Sequence, residues 1–226
     1  MIIRYLGHSS FHITIGNTKI IVDPYITPNP LAAHIDIKSL TADYILLTHG
    51  HGDHIADVEA LASQTGASII STYEVVTYFE NKGIKGHPMN IGGSWNFDFG
   101  RLKLTNAIHT SSFPDGSYAG NPCGFMLYTS EGNIYIAGDT ALTMDMKLIP
   151  MFGPKPDIAI LPIGSNFTMD ADDAVIASDF IECNKIIGCH YDTFGYIKID
   201  QEATIDKFKS KGKELILLPI GESYTY

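Results

Sequence analysis

The chain has 226 residues, enough for one large domain or two small ones and for a substantial core without disulfide staples. Hydrophobic residues make up 45% and charged residues 18%, the mix of a globular protein rather than a disordered one. With 15 basic against 25 acidic residues the formal net charge is −10, which argues against a nucleic-acid binder working by bulk electrostatics.

The opening "MIIRYLGHSS" lacks a basic segment followed by a long apolar one, so no signal peptide is expected, and no apolar run reaches the roughly 20 residues of a membrane span. Two short strands, "IIRYL" and "FHITI", come first. A turn at Gly16-Asn17 then leads into "KIIVD", the signature of a hairpin because both turn residues tolerate positive φ. "DYILLT" is apolar throughout, as in a strand covered on both faces. The spacing of Ile55, Val58, Leu61 and Ala62 predicts one helix from Asp53 or His54 that Gly66 closes. A strand at "ASII" and a short helix at "YEVVTYFENKG" follow. Alternation about Gly100 predicts a hairpin over "SWNFDFGRLKLTNAIH", and "CGFMLYTSEGNIYIAGD" predicts another. Beyond them lie strand 157–161, a helix near 171–181, strand 185–189, a helix near 202–211 and strand 214–218. Asp172 and Asp173 fall in a first helical turn, where negative charge suits the macrodipole.

An internal echo links two stretches. "ITIGNTKIIVD" and "LYTSEGNIYIAGD" each hold a strand, a Gly-Asn turn, an apolar strand and a terminal aspartate, Asp23 or Asp139. "DYILLTHGH" is likewise answered by "DIAILPIGS". With no low-complexity linker, the expectation is a single domain over 1–226, of α/β class. Two similar β-rich halves stack their sheets into a four-layer αββα sandwich with helices outside.

Chemistry concentrates in "THGHGDH", where His49, His51, Asp53 and His54 crowd together just after a buried strand. Imidazole is the commonest protein ligand for zinc, and carboxylates suit harder ions. Gly50 and Gly52 are expected to let the backbone fold tightly around bound metal. One loop cannot supply two complete coordination spheres. His109, Asp139 and His190 each follow another apolar strand, so strand ends meeting at one rim would bring them in. Two ions about 3.5–4 Å apart, sharing one hydroxide, are a recurrent hydrolytic device.

"THGHGDH", followed by His109, "AGDT" and His190, resembles the metallo-β-lactamase superfamily, whose fold is the sandwich expected above. "YLGHSSFHI", "IVDPY" and "HPMNIGGSWNFDFG" resemble its metal-dependent hydrolase branch related to the L-ascorbate-6-phosphate lactonases. The similarity spans essentially the whole chain, but a fold does not carry a substrate with it. The resemblance implies one metal on His49, His51 and His109, a second on Asp53, His54 and His190, and Asp139 as the bridge. Zinc fits this set, and manganese or iron would also suit it. Asp53 is thereby expected to be catalytic as well as a ligand. Asp23 is expected to orient the ligand loop, although a turn cap before Pro24 would explain it as simply. For His8, binding substrate or assisting the leaving group stands against a structural hydrogen bond in a turn. His12 and His34 are assigned no role, and His87 a structural one.

The loop 110–124 offers Ser111, Ser112, Tyr118 and Asn121 as polar contacts to a substrate, and 164–170 a second wall. Three widely spaced cysteines suit reduced thiols in a cytoplasmic protein, and strand alternation should turn Cys189 away from His190. The expected function is binuclear hydrolysis of a small lactone or phosphodiester by a metal-bridging hydroxide. The rivals are a metal-loaded metabolite sensor without turnover and oxidoreduction at a di-iron site. Homo-oligomerisation is expected on the resemblance alone, and neither membrane nor nucleic acid is an expected partner.

Overall fold

The computed structural model describes all 226 residues. The first half runs β1 (Ile2–Gly7), β2 (Ser10–Ile15), β3 (Thr18–Val22), β4 (Tyr44–Leu46), α1 (Gly52–Ile55), α2 (Val58–Thr65), β5 (Ser68–Thr72), α3 (Tyr73–Glu80), β6 (Gly86–Met89) and β7 (Ser94–Phe97). The second runs β8 (Gly100–Asn106), β9 (Cys123–Thr129), β10 (Gly132–Ile136), β11 (Ile158–Pro162), α4 (Ala171–Phe180), β12 (Lys185–Cys189), α5 (Gln201–Ser210), β13 (Glu214–Ile216) and β14 (Ser223–Thr225).

These strands form two 7-stranded sheets, ordered β14-β1-β2-β3-β4-β5-β6 and β13-β12-β11-β10-β9-β8-β7. In the first, β1, β2 and β3 pair antiparallel and β3 through β6 pair parallel. In the second, β8, β9 and β10 pair antiparallel and β10 through β13 parallel, the same plan. Each half also sends its last strand to the other sheet. β7 pairs antiparallel with β8, and β14 antiparallel with β1. The echo read from the Gly-Asn turns therefore covers whole sheets, and it makes β1 and β3 the topological equivalents of β8 and β10.

Alternation of side chains produces the layers. Ile20 and Val22 face the other sheet, in an apolar cluster with Phe11, Phe125, Ile134, Ile136 and Ile160. Ile21, between them in sequence, faces outward with Ile45 to meet Val58, Leu61, Val76 and Phe79 of the helices. On the far side Tyr135, Ala159 and Leu161 meet Ala174, Ala177, Ile181 and Phe208. Three apolar interfaces hold four layers, helix–sheet–sheet–helix, as the sequence led us to expect. Cys189 lies in the interface between the sheets, and all three cysteines are free and buried. No helix is long and apolar enough to cross a membrane.

The structure corrects several local expectations. The single helix from Asp53 to Gly66 is two, α1 and α2. It breaks at Asp57, a buried carboxylate whose Oδ2 accepts the backbone N–H groups of Ile26 (2.6 Å) and Thr27 (2.9 Å). At the Gly16-Asn17 turn only Gly16 uses positive φ, at 57°. The edge strands β6 and β14 are additional. Each is short, and β6 carries Pro88, so pairing with a neighbour rather than an apolar pattern makes them strands. Asp172 and Asp173 do occupy the first turn of α4, whose capping residue Asp170 accepts the Asp173 N–H at 2.9 Å.

Candidate metal centre

β1, β3 and β4 run in one direction in their sheet, as do β8, β10 and β12 in theirs. Their carboxyl ends meet at one rim of the sandwich. His8 follows β1, Asp23 follows β3 and the His49–His54 stretch follows β4. His109 follows β8, Asp139 follows β10 and His190 follows β12. By the equivalence of the sheets, His8 occupies the position of His109, and Asp23 that of Asp139. Three of these residues, His8, Asp23 and His190, adopt left-handed backbone at φ 55°, 43° and 56°. Such strain at non-glycine residues persists only where surrounding structure enforces it, and it gathers at functional sites.

The rim side chains form overlapping groups. Ligand atoms of His49, His51 and His109 lie within 4.8 Å of one another, as do those of His8, Asp53, His54 and His190. A third group, His49, His54 and Asp139, overlaps both. Asp139 Oδ2 lies 3.0 Å from His190 Nε2, 3.4 Å from His54 Nε2 and 3.7 Å from His109 Nε2.

Asp23 governs which nitrogens are free. Its Oδ1 accepts the Thr48 N–H at 2.8 Å. Its Oδ2 accepts the Thr48 hydroxyl at 2.6 Å and the His54 Nδ1–H at 2.8 Å. The Thr48 oxygen in turn accepts the His49 Nδ1–H at 2.9 Å. One carboxylate therefore fixes two imidazoles by their Nδ1 atoms and turns their Nε2 atoms toward the rim, the role of carboxylates behind metal-ligating histidines.

The donor set fits a metal. His54 Nε2 and Asp139 Oδ1 are buried without any hydrogen-bond partner, a costly state that a cation would relieve. His49 Nε2 and His51 Nδ1 stand 3.0 Å apart, near the roughly 3.3 Å edge of a tetrahedron with Zn–N of about 2.0–2.1 Å. Burial pushes His49 well below the ordinary histidine range, so it stays neutral and ready to ligate. Burial opposes charge on His54 too, but Asp139 and Asp23 outweigh it and raise its pKa well above normal. Burial likewise opposes charge on Asp139, yet His54 and His190 hold that carboxyl well below the usual range.

His8 is fully buried. Its Nε2 meets Asp53 Oδ2 at 3.1 Å, its Nδ1 meets the Thr193 hydroxyl at 3.0 Å, and its ring lies 4.2 Å from that of His190. Burial lowers its pKa to about 4, with Asp53 only partly offsetting that. Neutral His8 therefore donates from Nε2 to Asp53 and accepts at Nδ1. Burial would raise the Asp53 pKa, but the His8 hydrogen bond and nearby His54 outweigh it and keep Asp53 ionised.

Above the clusters opens a cleft of about 780 Å³, lined at its base by His51, Asp53, His109, Asp139 and His190. The loop 110–124 contributes little to it, contrary to expectation. Of that loop only Thr110 lines the cleft. Ser111 Oγ donates to Ala119 O and accepts the Gly50 N–H, Ser112 bridges to Tyr118, and the Tyr118 hydroxyl donates to Asn121. The loop braces the histidine loop from behind instead, with Phe113 stacked on Tyr78 at 3.7 Å. The 164–170 segment does supply a wall, through Phe167. The other wall, Thr193 to Tyr196, was missed from sequence. Its signal was the aromatic density of "YDTFGY" directly after His190. His12 and His34 bond backbone carbonyls of Thr41 and Ile220, and His87 packs against Trp95 and Phe97, all away from the rim.

The two glycines of the histidine loop are not equivalent. A Cβ on Gly50 would clash with Ala119 Cβ, whereas one on Gly52 would find only Pro114 Cγ, at 3.9 Å. Gly50→Ala is expected to destabilise the fold by about 1–3 kcal/mol through overpacking, and Gly52→Ala by much less. Chemical denaturation of the two variants checks the contrast.

A helix–sheet–sheet–helix sandwich with histidines and carboxylates converging on one rim is the metallo-β-lactamase architecture. A model of the beta-lactamase superfamily domain matches residues 2–190. A metal-dependent hydrolase of Flavobacterium johnsoniae is 63% identical over 223 residues, covering 99% of each chain. One from Thermus thermophilus is 46% identical over 220 residues, covering 97% of this chain and 96% of that one. Among solved structures, a metallo hydrolase from the archaeon Ignicoccus hospitalis superposes with a TM-score of 0.89 at 32% identity. That match covers 100% of this chain and 98% of that one. The chain belongs to the metal-dependent hydrolase family of the beta-lactamase superfamily.

Proposed function

We propose that the chain is a binuclear hydrolase of small lactones or phosphodiesters. In this reading His49, His51 and His109 would hold one divalent ion and Asp53, His54 and His190 a second, with Asp139 available to both groups. The observation that carries it is the overlap of the two groups at Asp139, whose Oδ2 lies within 3.0–3.7 Å of three imidazoles while Oδ1 is buried without a partner. When bound, such a pair supplies an activated water and a Lewis acid for the electrophile's oxygen. The imidazole-rich set suits zinc, with manganese or iron as alternatives.

The chain's own residues then have distinct tasks. Asp23 holds His49 and His54 in the tautomer that exposes Nε2. Asp53, ionised and lining the cleft, orients the attacking water, and His8 fixes Asp53. His8, fully buried behind Asp53, acts on the cleft only through that carboxylate. The cleft volume suits a small molecule rather than a polymer.

Protein stripped with a chelator, with removal verified by elemental analysis, is expected to lose hydrolysis in a screen of lactones, phosphodiesters and thioesters. Zinc or manganese is expected to restore it. Activity unchanged after verified removal overturns the reading.

A further inference from the structure

No lysine or arginine lines the cleft. Its charged side chains besides histidine are Asp53 and Asp139, both engaged with the imidazole groups. A substrate carrying a second anion away from the reacting centre, such as a phosphate monoester on a sugar, would find no cation to receive it. The outer cleft is aromatic instead. Phe167 is 50% exposed and Tyr196 80% exposed, with ring centroids 6.4 Å apart at 81°. Phe194 closes the inner end, its ring edge-on to His8 at 5.2 Å.

Two separate loops deliver these rings, and both are strained. Ser165 and Asn166, just before Phe167, take φ of 64° and 59°, and Asp192, two residues before Phe194, takes 61°. Each loop is tied down. The Ser165 N–H donates to Met169 O at 3.0 Å and the Asp192 N–H to Ile197 O at 2.8 Å. Asp192 also accepts from Ile199 N at 3.0 Å and Gln201 Nε2 at 2.7 Å. Independent strain that turns exposed aromatics into one cleft marks a binding surface.

We propose that the cleft selects uncharged acyl substrates, lactones or esters, bearing an aryl or similarly flat apolar group that docks against Phe167 and Tyr196, and that it disfavours phosphorylated ones. The proposal rests on the hydrolytic reading above and narrows it. In the reaction one water adds to the carbonyl carbon and the bond from that carbon to the ring or ester oxygen breaks. That oxygen takes one proton of the water, giving a hydroxy acid or an acid and an alcohol, with no redox change.

The test compares γ-phenyl-γ-butyrolactone, γ-butyrolactone and a phosphorylated sugar lactone on metal-replete protein. Calorimetry measures binding of 5-phenyl-2-pyrrolidinone, a hydrolysis-resistant lactam. Wild type is expected to prefer the phenyl lactone over the plain one by at least about tenfold in kcat/KM, mainly through KM. The double variant Phe167→Ala/Tyr196→Ala is expected to cut that preference, and lactam affinity, about tenfold. Both residues are exposed, so the variant should fold. Lactones hydrolysed without aryl preference, or a preference for the phosphorylated one, overturn this proposal and leave the hydrolytic reading standing. Lactam binding that depends on both rings, with no turnover of any substrate, supports the aryl site and overturns hydrolysis. Neither binding nor turnover overturns both.

Discussion

Asp139→Asn is expected to lower kcat/KM by about 10³-fold or more on the best substrate from the activity screen, and to leave the purified protein short of metal. The side chain is nearly isosteric, so packing at this 2% exposed position survives while the negative charge is lost. That charge faces three imidazole nitrogens at 3.0, 3.4 and 3.7 Å, more than any other group at the rim. A unit charge pair at about 4 Å is worth about 4 kcal/mol at an effective dielectric of 20, and a divalent ion feels more. At about 1.4 kcal/mol per tenfold, that converts to roughly 10³ in rate if the ions stabilise the transition state through this carboxylate. Elemental analysis and circular dichroism accompany the kinetics. A folded variant with full metal content and unaltered kcat/KM would show that Asp139 does not join the two groups.

The cluster was legible in the sequence because ligation needs particular atoms at close spacing, and "HGHGDH" supplies them in one stretch. His109, Asp139 and His190 were legible for a different reason. Each follows an apolar run, and parallel strands in stacked sheets bring such ends to one rim. What escaped depends on long-range neighbours. Helical periodicity runs straight through Asp57, and the break is set by N–H groups of Ile26 and Thr27, roughly thirty residues earlier. Phe167 and Tyr196 meet only because β11 and β12 pair side by side, a fact absent from either loop's composition. The loop 110–124 looked substrate-facing because it is long and polar. Its serine hydroxyl at 111 and the ring of Phe113 are spent instead on bracing the histidine loop. His8 was a candidate from the sequence, but its equivalence to His109 was not legible there, since it follows from the matching order of the sheets and not from any local motif.

Asp23→Asn is expected to reduce metal affinity by about 10–100-fold, although Asp23 sits behind the histidines rather than among the proposed ligands. The native carboxylate accepts three hydrogen bonds, from Thr48 N, Thr48 Oγ1 and His54 Nδ1. Asparagine has one oxygen and one amino group in that space, so one of its ends must donate where only donors now point. If the amino group faces Oδ2's present partners, the Thr48 hydroxyl can no longer donate there, and His54 Nδ1 must give up its proton to accept. The neutral His54 ring would then carry its proton on Nε2, the nitrogen that needs a bare lone pair. Thr48 links the same change to His49 through the 2.9 Å contact at Nδ1, so members of both groups lose their orientation together. The expected signature is therefore weaker binding of both ions, read by competition with a chromophoric chelator, and catalysis that recovers as metal concentration rises. Loss of only one ion, or a drop in kcat that saturating metal does not restore, would separate Asp23 from the role of fixing the tautomers of both imidazoles.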